Sequence, residues 1–123
     1  MIRILLIEDD RTFSSLIQDV LAIHEIQVDV LHHAADVLNV VQETCPDLVV
    51  VDLALPEIDG LTVIEMLRNH STVTNIPIIV ATALGSVEAR QRAQAAGADL
   101  FMMKPFSIDD LVQHIRSYAV RSS

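Results

Sequence analysis

The sequence predicts an α/β fold, a doubly wound parallel sheet of five strands with helices on both faces. Two patterns lead there. Short β-branched or Leu-rich runs alternate with longer stretches in which large apolar residues recur at helical spacing. Several of the short runs are apolar on both faces, as the central strands of a covered parallel sheet must be. Strands joined by helical crossovers wind right-handed, and five such units place helices on both faces of one sheet.

The expected strands are Ile2 to Ile7, Gln27 to Leu31, Asp47 to Val51, Ile76 to Ala81 and Ala98 to Met102. Between the first two, Phe13, Leu16, Ile17, Val20 and Leu21 fall on one helical face, and Ala34, Val37, Leu38 and Val41 repeat the spacing. A third helix is expected from about Gly60 to Asn69 and a fourth from about Ser86 to Ala96. The fifth follows Ile108, Leu111, Val112, Ile115 and Tyr118, with Ser107 as its N-cap and Asp110 completing a weak capping box. The fourth carries Val87 as its one large apolar residue, so it buries little and is the helix best suited to move.

The 123 residues are enough for one core and too few for two, so one domain spanning residues 1–123 is expected, with no linker or repeat. Half of the residues are apolar, and Gly and Pro are scarce, which excludes a disordered chain. A formal charge of −9 opposes direct contact with nucleic acid or anionic lipid. The lone Cys45 allows no internal disulfide, and the apolar run from Ile4 stops at Glu8, too soon for a signal peptide or membrane span. A cytoplasmic setting is expected.

The chemistry-bearing residues fall at the carboxyl ends of the expected strands: Glu8, Asp9 and Asp10 after the first, Asp52 after the third, Thr82 after the fourth and Lys104 after the fifth. In a sheet of this type, ligands bind at that rim. If the first and third strands are neighbours, about 4.8 Å apart, Asp9 and Asp52 nearly touch. Crowded carboxylates repel, so the site must raise a pKa, recruit a cation or bind a lysine. An all-oxygen set favours Mg²⁺, and the lack of nearby Cys or His argues against zinc. Asp9 or Asp10 also suits the N-cap of the first helix, and the two roles are compatible.

Four blocks carry a family resemblance across nearly the whole chain: Ile4-Leu5-Leu6-Ile7-Glu8-Asp9-Asp10, Val50-Val51-Asp52-Leu53-Ala54-Leu55-Pro56-Glu57-Ile58-Asp59-Gly60, Pro77-Ile78-Ile79-Val80-Ala81-Thr82-Ala83, and Gly97-Ala98-Asp99-Leu100-Phe101-Met102-Met103-Lys104-Pro105-Phe106. Together the sequence resembles the receiver domains of two-component response regulators. The resemblance implies the flavodoxin-like (βα)5 order 2-1-3-4-5, with Asp52 as nucleophile toward the phosphohistidine of a sensor histidine kinase or phosphotransfer protein. It further implies that Asp9, Asp52 and the Ala54 carbonyl hold Mg²⁺, that Glu8 orients a metal-bound water, and that Lys104 pairs with a phosphoryl oxygen while the Thr82 hydroxyl and Ala83 amide take another. Thr82 and Phe101 would form the switch and the fourth helix, fifth strand and fifth helix the output face toward a downstream effector. A switch needs roughly 5.5 kcal/mol of differential binding, which two or three charged hydrogen bonds of about 1.5–3 kcal/mol each can supply. Lys104-Pro105 is a candidate cis bond on the same ground. The domain would stand alone or lead a longer regulator, and dimerisation through the output face is left open.

Two features depart from the usual family pattern. Ala54 is small, which would leave an acyl phosphate open to water, and Phe101 replaces the commoner tyrosine. Among rivals, an aspartyl phosphohydrolase needs a second carboxylate where Ala54 stands, and a flavodoxin-like mononucleotide binder needs a Gly/Ser/Thr loop where Glu8-Asp9-Asp10 stands. A degenerate receiver that only binds partners is the alternative, opposed by the intact set Asp9, Asp52, Thr82 and Lys104. His32-His33 and Met102-Met103 read as surface and packing residues with no site assigned.

Overall fold

The computed structural model describes residues 1–122; Ser123, the last residue of the expected domain span, lies outside the described residues. Along the chain run β1 (Ile2–Ile7), α1 (Arg11–Ile23), β2 (Ile26–Leu31), a 3-10 turn (Ala34–Asp36), α2 (Val37–Thr44), β3 (Leu48–Val51), α3 (Gly60–Asn69), β4 (Ile78–Thr82), α4 (Val87–Ala96), β5 (Leu100–Met103) and α5 (Ile108–Ser122). The five strands are parallel in the order 2-1-3-4-5, as the sequence led us to expect.

Alternation along the strands feeds two cores. Ile4, Leu6, Val50, Ile79 and Ala81 point to one face and pack against Ile17 and Leu21 of α1 and Leu111, Val112 and Ile115 of α5. Leu5, Ile7, Val49, Val51 and Val80 point to the other and meet Val37 and Val41 of α2 and Val63, Ile64 and Leu67 of α3. Each fully buried Leu, Ile or Val contributes about 1.5–3 kcal/mol, so this doubly covered sheet is the rigid part of the molecule. Among the described residues no helix is long and apolar enough to cross a membrane.

Three strands start later than expected, and in each case a polar contact or a proline decides. The Asp47 carboxylate accepts the Arg3 amide at 2.9 Å, so Asp47 brackets β3 from outside. Pro77 has no N–H for the ladder, and the Ile76 amide donates to Val73 in a turn, so β4 starts at Ile78. Asp99 accepts the Ile78 amide on its side chain at 2.8 Å, which moves the start of β5 to Leu100. The first turn of the expected second helix is 3-10, and α5 continues beyond Tyr118 to Ser122. The Asp110 amide donates to Ser107 Oγ at 3.4 Å, a weak form of the expected cap.

α4 is as poorly anchored as its sequence implies: Ala93 is its only buried residue and Val87 is exposed. Its amino end is capped by Ser86 Oγ, which accepts the Ala89 amide at 3.0 Å. Its carboxyl end stops at Gly97, whose φ of 117° suits glycine, and a Cβ there would also strike the Arg68 side chain.

Candidate functional site

Strand register assembles the site. β1 and β3 pair with Ile7 opposite Val51, so the next residues out, Glu8 and Asp52, emerge side by side, and the Asp52 amide still donates to the Ile7 carbonyl at 3.1 Å. β4 and β5 pair with Thr82 opposite Met103, and the Lys104 amide donates to the Thr82 carbonyl at 2.8 Å. Glu8, Asp52, Thr82 and Lys104 thus meet at the one rim expected of them.

Glu8, Asp9 and Asp52 each offer a carboxylate oxygen, and these oxygens lie within 4.8 Å of one another. Glu8 and Asp52 are buried and Asp9 is exposed. The neighbouring acids divide the work: Asp10 caps α1 by accepting the Phe13 amide at 3.0 Å, which leaves Asp9 to the cluster. The loop after β3 is tight, because the Ala54 amide donates to Asp52 Oδ1 at 3.0 Å and the Gly60 amide to the Leu53 carbonyl at 3.0 Å. A Cβ on Gly60 would lie 2.3 Å from the Asp52 carbonyl oxygen, so only glycine lets α3 begin this close to the strand end.

Lys104 Nζ donates to Glu8 Oε1 at 2.5 Å and to Asp52 Oδ2 at 3.1 Å. One ammonium therefore faces two buried carboxylates with a third beside them, an arrangement that still lacks positive charge. Burial, reinforced by the charge of Asp52, pushes Glu8 up to about 7 against the pull of Lys104. For Lys104, burial works against the charged form, but the bonds it donates to Glu8 and Asp52 outweigh it and raise its pKa. An all-oxygen set short of a cation could hold a metal ion of the hard, divalent kind.

The other expected residues lie close by. Thr82 is buried, and its Oγ1 accepts the Leu84 amide at 3.2 Å; Ala83 and Ala54 are exposed beside the rim. Phe101 is half-buried at the edge of the second core, with the Arg90 guanidinium 4.7 Å from its ring centre. The Lys104-Pro105 bond is cis. A cavity of roughly 590 Å³ between Val41, Cys45, Asp47, Thr72 and Pro77 opens at the opposite rim and shares no residue with the cluster.

Two contacts escaped the sequence reading. His32, which its sequence context marks as a surface residue, is half-buried, and its Nδ1–H donates to the Glu8 carbonyl at 2.8 Å. Phe13 places its ring face 4.2 Å from Lys104 Nζ. Periodicity put Phe13 on the inner face of the first helix, but no local signal connects it with Lys104.

The model of the response regulator receiver domain matches residues 4–116. The chain belongs to this family. It is the receiver domain of a two-component response regulator. It is 34% identical over 121 residues to the response regulator MprA of Mycobacterium bovis, a match that covers 98% of this chain and 52% of that protein. The chain therefore spans about half the length of the curated relatives it matches. Among solved structures, the receiver domain of the Francisella response regulator 1452 superposes with a TM-score of 0.90 at 26% identity, with full coverage of both chains. The BeF3-activated N-terminal receiver domain of Klebsiella pneumoniae RstA does so with a TM-score of 0.86 at 28% identity, covering 95% of this chain and 97% of that one. In receiver terms, the acidic cluster lies where strand order brings β1 and β3 together.

Proposed function

We propose that this receiver accepts a phosphoryl group on Asp52 from the phosphohistidine of a sensor histidine kinase or phosphotransfer protein and passes the signal to a downstream effector. The observation that carries this reading is the joint presence of three carboxylates within 4.8 Å and one ammonium bonded to two of them. The Ala54 amide and Lys104 fix the plane of the Asp52 carboxylate, one on each oxygen. From that pose a carboxylate oxygen attacks phosphorus, the P–N bond breaks, and the bonding pair leaves on the donor imidazole, which takes up a proton. Lys104 then exchanges its bond to Asp52 for one to a phosphoryl oxygen, and the Thr82 hydroxyl and Ala83 amide take another.

Asp9, Asp52 and the Ala54 carbonyl would hold Mg²⁺ with Glu8 beside them. When bound, the ion neutralises charge on the transferring phosphoryl oxygens. The movement of Thr82 would free space for Phe101 to turn inward and so alter the face formed by α4, β5 and α5. Incubation with acetyl phosphate and Mg²⁺ followed by intact mass should show one added phosphoryl group on the wild type and none on Asp52→Asn. No gain on the wild type would leave the chain a receiver that only binds partners.

A further inference from the structure

Lys104 is the chain's only lysine, and its ammonium is held from three directions. Glu8 and Asp52 take two of its N–H bonds, and the face of Phe13 covers a third side at 4.2 Å. Phe13 is no deep core residue, since it packs at the margin of the first core and is only partly buried. Its ring is braced by Phe106, which meets it edge-on at 6.1 Å and 88°. The ring is therefore fixed from both ends of the site. Its own amide is the one that Asp10 caps, next to Asp9, and its brace lies two residues past Lys104.

We propose that Phe13 is a positioning residue for Lys104, its ring face steering the ammonium onto the acidic cluster and the incoming phosphoryl group while Phe106 holds the ring in place. A cation above a ring is attracted without the directional demand of a hydrogen bond. Lys104 can thus shift an N–H from Asp52 to a phosphoryl oxygen without leaving its seat, and water is kept from that side throughout. The role in transfer rests on the reading of Asp52 as phosphoacceptor; the seating of the ammonium does not.

The test uses two readouts on the intact chain. Labelling with ¹⁵N-lysine gives a single ammonium signal, so proton exchange with water can be measured on Lys104 alone in metal-free, unphosphorylated protein. The rate of phosphorylation by phosphoramidate with Mg²⁺ is measured in parallel. Phe13→Leu should accelerate ammonium exchange and slow phosphorylation, each by about fivefold, the size a partly desolvated cation–ring contact supports. Phe13→Tyr, which keeps the ring face, should stay within about twofold of wild type on both. Phe106→Leu, which keeps the Phe13 ring but removes its edge-on brace, should accelerate exchange to a lesser degree and keeps the test alive if Phe13→Leu does not fold. Unchanged exchange in the folded leucine variants, or equal impairment by Tyr and Leu, would overturn the proposal. A wild type that takes no phosphoryl group would remove the proposed function, and the exchange readout would still decide whether the ring seats the ammonium.

Discussion

Glu8 shows how a fold can set a site's electrostatics through one side chain. It follows the last buried residue of β1, so the backbone leaves its carboxylate almost no solvent. Burial and the neighbouring Asp52 raise it from 4.5 to about 7. Between those two pH values the folded protein binds a proton that the unfolded chain has lost, so the stability linked to that proton is complete below about 4.5 and is lost as pH rises through about 7. A shift of this size is worth on the order of 3 kcal/mol. In Mg²⁺-free buffer, Glu8→Gln should therefore gain stability relative to wild type between pH 5 and 8, measured by urea unfolding; parallel pH curves would contradict this. The residues that crowd here were legible because they gather where apolar runs end, as Asp52 follows Leu48 to Val51. The seat of Lys104 on Phe13 was not, because it joins α1 to the loop after β5, and only the assembled sheet brings them together.

Among the helices, α4 stands apart. One buried alanine and an exposed ion pair, Glu88 with Arg92 at 2.9 Å, hold it weakly, since such surface pairs contribute little. Its two ends differ. The carboxyl end is pinned, because Arg68 donates to the Gly97 carbonyl at 3.0 Å and pairs with Asp99 at 2.9 Å, whereas the amino end relies on the Ser86 cap. Addition of beryllofluoride and Mg²⁺ should change amide exchange in residues 86–96, most strongly in the first turns; identical protection with and without the analogue would remove α4 from the signalling path. The weakness of α4 could be read from its composition. The late starts of β3, β4 and β5 could not, because side-chain bonds from Asp47 and Asp99 to distant backbone amides and a turn ahead of Pro77 set them.

For the molecule as a whole, strand order turns a list of separated acids into a site. Pairing β1 with β3 aligns Ile7 with Val51, and the ladder from β3 through β4 to β5 delivers Lys104 to the same rim. The alternation of runs conveyed the number and type of elements, while the order came with the family resemblance, because periodicity alone does not say which strands are neighbours. The family match over residues 4–116 and the two-sided core agree on the fold, and the acid cluster is what makes that fold a phosphoryl acceptor in our reading. Borohydride reduces an acyl phosphate to an alcohol, so treating the phosphorylated protein and sequencing its peptides by mass spectrometry identifies the acceptor directly. Homoserine should replace aspartate at position 52 alone, and only when both phosphodonor and Mg²⁺ were present; homoserine at position 9 or 10, or at none, would contradict the assignment.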